Sequence, residues 1–190
     1  PINWSRIESI NILPNVTFNL SKSPDTKKTI NMIINLNRNS KFAKLWPGVL
    51  EAFRLIGSEQ IQGRASLGGN LCNGSPAGDS VPALIAAGCK AVIAGPKGRK
   101  DVPIENFHLG PGKTVLENGE MLVSLKFPRR VSNSADAYLR MTPRTEMDIA
   151  VVGCGVNISL ENDTCTHARV SLGAVAPTPL LIEEASDIMV

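Results

Sequence analysis

The sequence predicts an α+β protein in two parts, residues 1–130 and 136–190. Three patterns carry that expectation. From Trp46 to Gly57 the apolar positions Val49, Leu50, Phe53 and Ile56 fall on one face of a helix, which Gly57 stops. Met121, Val123, Leu125 and Phe127 alternate with Leu122, Ser124 and Lys126, the period of a strand with one buried face, and Pro128 ends it. Ile149 to Leu160 and Val170 to Val175 read as strands, with Glu161-Asn-Asp163 as a hairpin turn. Between the second and third patterns, Arg129 to Asp136 is polar, turn-rich and without apolar periodicity, so the boundary is placed there.

The remaining elements follow in order. Asn15 to Leu20 alternates like a strand, Ser23-Pro-Asp-Thr26 opens a helix through Ile30, Ile33 and Ile34, and the Asn- and Ser-rich stretch 31–40 reads as a loop. Cys89 to Ala94 is a run of small apolar residues, a buried strand closed by the turn Gly95-Pro-Lys-Gly98. Gly110-Pro-Gly-Lys-Thr114 imitates the end of a Walker loop, but the first glycine of that motif would fall at Phe107, so this segment reads as a loop before a strand. Leu180 to Met189, behind Pro177 and Pro179, starts like a helix.

At 190 residues the chain is long enough for a substantial core. Twenty basic and seventeen acidic side chains leave a scattered net charge of +3, which is no nucleic-acid footprint. Two Trp, one Tyr and five Phe make a poor base-stacking surface. No apolar run reaches the length of a membrane span and no signal-peptide pattern opens the chain, so a soluble, cytoplasmic protein is expected. Cys72, Cys89, Cys154 and Cys165 lack the spacing of a zinc or iron-sulfur site and are expected as free thiols; Cys154 and Cys165 could face each other across the hairpin. His108 and His167 read as surface or hydrogen-bonded side chains.

The chemistry is concentrated between Gln60 and Gly88. From Ser66 to Asp79 the chain packs Gly68, Gly69, Gly74 and Gly78 among the short polar residues Ser66, Asn70, Asn73, Ser75 and Asp79. Such a composition suits a loop rather than a core helix or strand, because glycine loses the most entropy on ordering and packs no side chain. Bare of Cβ atoms, Gly68 and Gly69 can turn N–H groups inward as a cradle for phosphate. Behind the loop, Ser80 to Gly88 reads as a short helix with Ser80 or Asp79 as N-cap and proline in its first turn. A glycine-rich turn before a capped helix is the plainer reading of the same residues. There is no GxGxxG and no acidic residue about 20 positions on, so the dinucleotide fingerprint is not met.

The run from Gly57 through Gln60-Ile-Gln-Gly-Arg-Ala-Ser-Leu-Gly-Gly-Asn70 and Asn73-Gly-Ser-Pro-Ala-Gly-Asp79 to Leu84 resembles the second flavin-binding motif of the molybdenum hydroxylases. The resemblance continues through Gly110 to Leu116, Gly119 to Pro128 and Tyr138 to Ala150, and so covers most of the chain from about residue 48. It implies a PCMH-type FAD-binding domain over 1–130, followed over 136–190 by an incomplete sheet-plus-helix domain like the C-terminal part of carbon monoxide dehydrogenase flavoproteins. The implied activity is that of an oxidoreductase subunit similar to the medium subunit of aerobic carbon monoxide dehydrogenases and the FAD portion of xanthine dehydrogenases. Electrons would pass from the [2Fe-2S] clusters of a small subunit through FAD to an acceptor, while a large subunit holds the molybdenum cofactor.

By matching position, the resemblance places Ala65, Ser66, Gly68, Gly69 and Asn70 at the FAD phosphates and ribityl chain, and Asn73 in support of the loop or the flavin edge. It makes Asp79 an acceptor for hydroxyl hydrogen bonds, sets Leu122 against the isoalloxazine, and puts Arg140 near the flavin, where it could stabilise the anionic reduced form. Leu122 could equally be an ordinary strand residue and Arg140 a solvated charge. No residue is assigned a catalytic or metal-ligating role. The family's first flavin loop, AGGTDL-like, has no counterpart here, and Pro1 to Ile10 resembles the segment that follows it. The chain is therefore expected to be a fragment of a longer subunit or a natural remnant. Two further readings stay open: a flavin-free interaction module, and a loop holding another phosphorylated ligand.

Overall fold

The computed structural model describes residues 17–19, 40–144 and 148–190. The helix expected over 23–34 and nearly all of the loop expected over 31–40 lie outside them. The described chain is α+β, built on two antiparallel four-stranded sheets and a two-stranded ribbon.

The first sheet has the order β1-β6-β2-β3, formed by β1 (Thr17–Asn19), β6 (Met121–Lys126), β2 (Lys90–Gly95) and β3 (Gly98–Pro103). Helices α1 (Ser40–Leu45), α2 (Pro47–Arg54), α3 (Glu59–Gln62), α4 (Leu67–Cys72) and α5 (Ser80–Ala86) precede or interleave with it. The second sheet, β10-β9-β8-β7, comprises β7 (Ser134–Met141), β8 (Val152–Glu161), β9 (Thr164–Gly173) and β10 (Leu180–Leu181), with α6 (Glu183–Ile188) behind it. Strands β4 (His108–Gly110) and β5 (Lys113–Thr114) make the ribbon. No helix among the described residues is long and apolar enough to cross a membrane.

Helix α2 forms as its pattern requires: Pro47 opens it, Val49, Leu50, Phe53 and the following Ile56 are buried, and Gly57 takes a φ of 57°. The core gathers around it, with Phe42 stacked on Phe53 and set edge-on to Phe127. The hairpin β2–β3 turns through Gly98 at φ 110°, and β8–β9 turns at Asn162 and Asp163, as the sequence suggested. The four cysteines are free; Cys154 stands opposite Leu172 and Cys165 opposite Leu160, so they do not face each other. His108 is buried and hydrogen-bonded, while His167 is exposed.

Several expectations are corrected. Strand β6 buries both faces, not one: Leu122 and Ser124 are as inaccessible as Val123 and Leu125, because β6 is interior to its sheet and α4 packs against it. The segment read as a loop before a strand is the β4–β5 ribbon itself. Leu180 and Leu181 form β10, and the helix behind Pro179 begins only at Glu183.

Strand β7 was not foreseen at all, since its pattern is inverted. Asp136, Tyr138 and Arg140 face the helices, while Leu139 and Met141 point outward and are 77% and 63% exposed. The inward polar groups are all spent on α2 and α5. Trp46, at the N-cap position of α2, offers no capping side chain, and Asp136 Oδ2 accepts from the Val49 N–H at 2.9 Å instead. Two residues on, the Tyr138 N–H donates to Glu51 at 3.1 Å. Gly48 makes this approach possible, because a Cβ there would fall 2.5 Å from the Ala137 backbone nitrogen. Arg130 completes the junction, pairing with Asp136 at 2.9 Å and lying 4.4 Å over the Trp46 ring. Burial pushes the Asp136 carboxyl up, against the Val49 amide, Arg130 and Gly48, which favour its charged form.

Asp136→Ala removes a helix cap and strands a buried guanidinium at once. Caps are worth about 1 kcal/mol, and breaking a buried pair about 3–5 kcal/mol. A loss of about 4 kcal/mol or more is expected in denaturant melts, with faster amide exchange at Gly48 and Val49.

Candidate functional site

The glycine-rich stretch is not a loop throughout. Residues 67–72 form helix α4, with Ser66 extended at the N-cap and its Oγ accepting from the Gly69 N–H at 3.1 Å. Leu67 and Leu71, one turn apart and both buried, anchor it in the core. Their burial outweighs the helix penalty of about 1 kcal/mol for each of Gly68 and Gly69. What the glycines provide is access: Gly69 is exposed, and a Cβ there would meet only Ser66 Oγ, at 3.1 Å.

Three contacts fix this turn from outside. His108 Nε2 donates to the Leu71 carbonyl at 2.7 Å, the Gly112 N–H to the Gly74 carbonyl at 2.9 Å, and Ser80 Oγ to Asn70 Oδ1 at 2.6 Å. The β4–β5 ribbon thus braces the stretch from one side and α5 from the other. Gly74, at φ 65°, lies so near Gly112 that a Cβ would sit 3.0 Å from its Cα.

Neither candidate cap of α5 caps it. Ser80 is wholly buried and turned to Asn70. Asp79 has helical dihedrals and no capping bond; its carboxylate accepts from Arg140 Nη1 at 3.0 Å and from the Tyr138 hydroxyl at 3.3 Å. Arg140 also donates to the Leu55 carbonyl at the end of α2, at 3.0 Å, and its side chain is only 10% exposed, so it is not a solvated charge. Burial pushes the Asp79 carboxyl up, while the Arg140 charge and both hydrogen bonds act against that shift. Burial and the neighbouring Asp79 push the Tyr138 phenol well above its ordinary range, which keeps it a donor at neutral pH.

Ser66, Gly68, Gly69, Asn70, Asn73, Asp79 and Arg140 therefore come together around α4 and the start of α5. Gly68 is buried, Ala65 is half-buried against the core, and Asn73 is exposed at the end of α4. Leu122 stands on the strand that packs against α4, yet its side chain is 6% exposed and belongs to the core. The cofactor contacts expected from the sequence omit Tyr138, and also Ser80 and His108, which the sequence suggested only as a cap and as a surface or hydrogen-bonded side chain; all three hold the others in place. The signal for Tyr138 was its being the one tyrosine of the chain, at the head of Tyr-Leu-Arg.

A helical and antiparallel framework presents a short glycine-bearing helix, braced on both sides and backed by an Asp–Arg pair from a second sheet; Gly68 is buried and the Gly69 N–H is held by Ser66, so the two glycines do not turn inward as the cradle the sequence suggested. Residues 21–130 match the family described as FAD binding domain in molybdopterin dehydrogenase, and residues 137–190 match the CO dehydrogenase flavoprotein C-terminal domain. The chain belongs to this FAD-binding family. Among similar proteins, the xanthine dehydrogenase FAD-binding subunit of Escherichia coli O157:H7 is 36% identical over 140 residues, 73% of this chain and 48% of its own length. The carbon monoxide dehydrogenase medium chain of Hydrogenophaga pseudoflava is 35% identical over 134 residues, 70% of this chain and 46% of its own. The structure of reconstituted CO dehydrogenase from Oligotropha carboxidovorans superposes with a TM-score of 0.80 at 28% identity, over 84% of this chain and 55% of that one. The chain spans about half the length of the curated relatives it matches.

The buried His108 adds a pH dependence. Burial lowers its pKa below 6.5, against the Leu71 carbonyl, and its Nδ1 has no partner among the described residues, so a second proton would be a charge with no acceptor among them. The folded value lies below the unfolded one, so stability is full above pH 6.5 and is lost as pH falls through that value. Thermal melts from pH 7.5 down to 5.5 are expected to show the loss, with a flatter profile in His108→Gln.

Proposed function

We propose that this chain is the flavin-binding part of a molybdenum-hydroxylase complex, relaying electrons from [2Fe-2S] clusters through FAD to an acceptor. The observation that carries this reading is the braced, exposed turn at Gly69, where Ser66 Oγ is the one side-chain atom near a Cβ position, in a chain of the FAD-binding family. Bound FAD supplies the electron-carrying chemistry. The exposed Gly69 and its partner Ser66 line the pyrophosphate approach, where the missing Cβ of Gly69 lets the backbone come close to the phosphates, and the buried Gly68 lies beneath them. Asn70, held by Ser80 through its carbonyl oxygen, keeps its amide N–H groups available as donors toward the ribityl chain. Ala65 and Asn73 bound the same turn. Asp79 and Arg140 mark its far side as an ion pair, in which Arg140 spends Nη1 on Asp79 and Leu55 and keeps its other N–H groups as donors toward a reduced ring. Leu122 backs α4 from the core.

Gly69→Val tests the turn. A bulky side chain blocks the phosphate approach, and the one neighbour that must give way is the Ser66 hydroxyl, so FAD binding should fall at least a hundredfold in flavin-fluorescence titrations of the chain extended to its relatives' length. Circular dichroism should stay native. A flavin-saturated variant would overturn this role for Gly69.

The partners follow from the same reading: the donor clusters sit on another chain, with the flavin near a shared interface. The natively purified subunit should carry a [2Fe-2S] protein and a molybdenum-containing subunit with it, measured by metal analysis and by flavin absorbance near roughly 450 nm. A subunit isolated alone, flavin-loaded and reduced directly by NADPH, would instead mark a free-standing flavin reductase.

A further inference from the structure

The inner face of the second sheet changes chemistry along its length. Where α5 lies on it, the sheet presents Gly155 and Gly173, and a Cβ at Gly155 would fall 2.7 Å from the Pro82 carbonyl oxygen. Helix α5 ends at Ala86. Beyond that end the same face turns polar, with Asn157 and Ser159 on β8 opposite Arg169 and His167 on β9. A cavity of about 280 Å³ opens there, between this part of the sheet, the turn at Ala87 and Gly88, and the segment from Pro128 to Val131.

The polar groups converging on it are mostly donors. Arg130 gives one N–H to Asn157 Oδ1 at 3.3 Å, which turns that residue's amide N–H groups away from the bond, and Asn157 is only 9% exposed. Arg169 spends Nε and one terminal nitrogen on the Ile85 carbonyl and Glu105, at 3.0–3.1 Å, and keeps its second terminal nitrogen. Arg129, on the rim, is exposed and has no ion-pair partner among the described residues. No lining residue is acidic. Even with Asp136 and Glu105, which pair from outside the lining, three arginines face two carboxylates and leave one positive charge. Trp46, Pro128 and Val131 make the remaining wall apolar.

We propose that this cavity binds a small organic carboxylate. Its charged end meets the guanidinium and amide donors, which match carboxylate geometry, and its apolar body lies on Pro128 and Val131. The volume sits just under the range of about 300–1,000 Å³ for sites that take drug-sized ligands, so the ligand is smaller than those. The site stands at the opposite end of α5 from Asp79, about 10 Å away at 1.5 Å per residue, and needs no flavin.

Benzoate, benzamide and inorganic phosphate are the probes, titrated into the 190-residue chain by calorimetry. Benzoate should saturate, benzamide should bind at least tenfold more weakly, Arg129→Gln should weaken benzoate severalfold, and Ser159→Leu, which fills the cavity, should abolish binding with a native melting transition. If Ser159→Leu does not fold, Arg129→Gln decides. No saturation by benzoate, equal binding of benzamide, phosphate binding as tightly as benzoate, or an unaffected Arg129→Gln would each overturn the proposal.

Discussion

The carboxylate of Asp136 does for α2 what no residue beside that helix does. An α-helix begins with N–H groups that have no partner within it, and here the one at Val49 is met by a side chain 87 positions further on, in the second sheet. Helix, strand and Arg130 are thereby joined in one buried cluster, with Tyr138 entering the same core as Phe53. The two sequence-matched regions, 21–130 and 137–190, also meet main chain to main chain, where the Ala174 N–H donates to the Pro76 carbonyl at 2.9 Å. Arg140 reaches Asp79 because Asp136 and Tyr138 have already fixed the strand that carries it.

The sequence was legible where hydrophobicity follows geometry. Helix α2, the β2–β3 turn and the β8–β9 turn lie close to where period and turn residues put them, while β9 starts at Thr164, six residues before the expected Val170. Strand β7 was illegible for the opposite reason: its buried face is Asp136, Tyr138 and Arg140, and its exposed face carries Leu139 and Met141, so hydropathy points the wrong way. The partners that make this tolerable are distant in sequence and leave no local trace.

The candidate site divides along the same line. Its bare glycines and short polar residues stand out in composition, and the resemblance between Gly57 and Leu84 gave them a purpose. Helix α4 was hidden because two glycines argue against a helix while the leucines at 67 and 71 argue for one, and only the core they enter decides. The caps expected of Asp79 and Ser80 failed because each side chain had a better-matched partner: a guanidinium for the acid, an amide oxygen for the hydroxyl. Such choices are made in three dimensions, between groups that chain order keeps apart.

Gly155 brings α5 against the sheet main chain to main chain at Pro82, and Gly173 leaves room for the Pro82 ring. In most helix–sheet layers the spacing is set by side chains, and it drifts as those side chains are exchanged. Here, at Gly155, the gauge is the thickness of the peptide backbone itself, and it holds for as long as that position stays glycine. The rest of α5 can vary over evolutionary time while the distance from its first residues to the second sheet, and so between Asp79 and Arg140, stays the same.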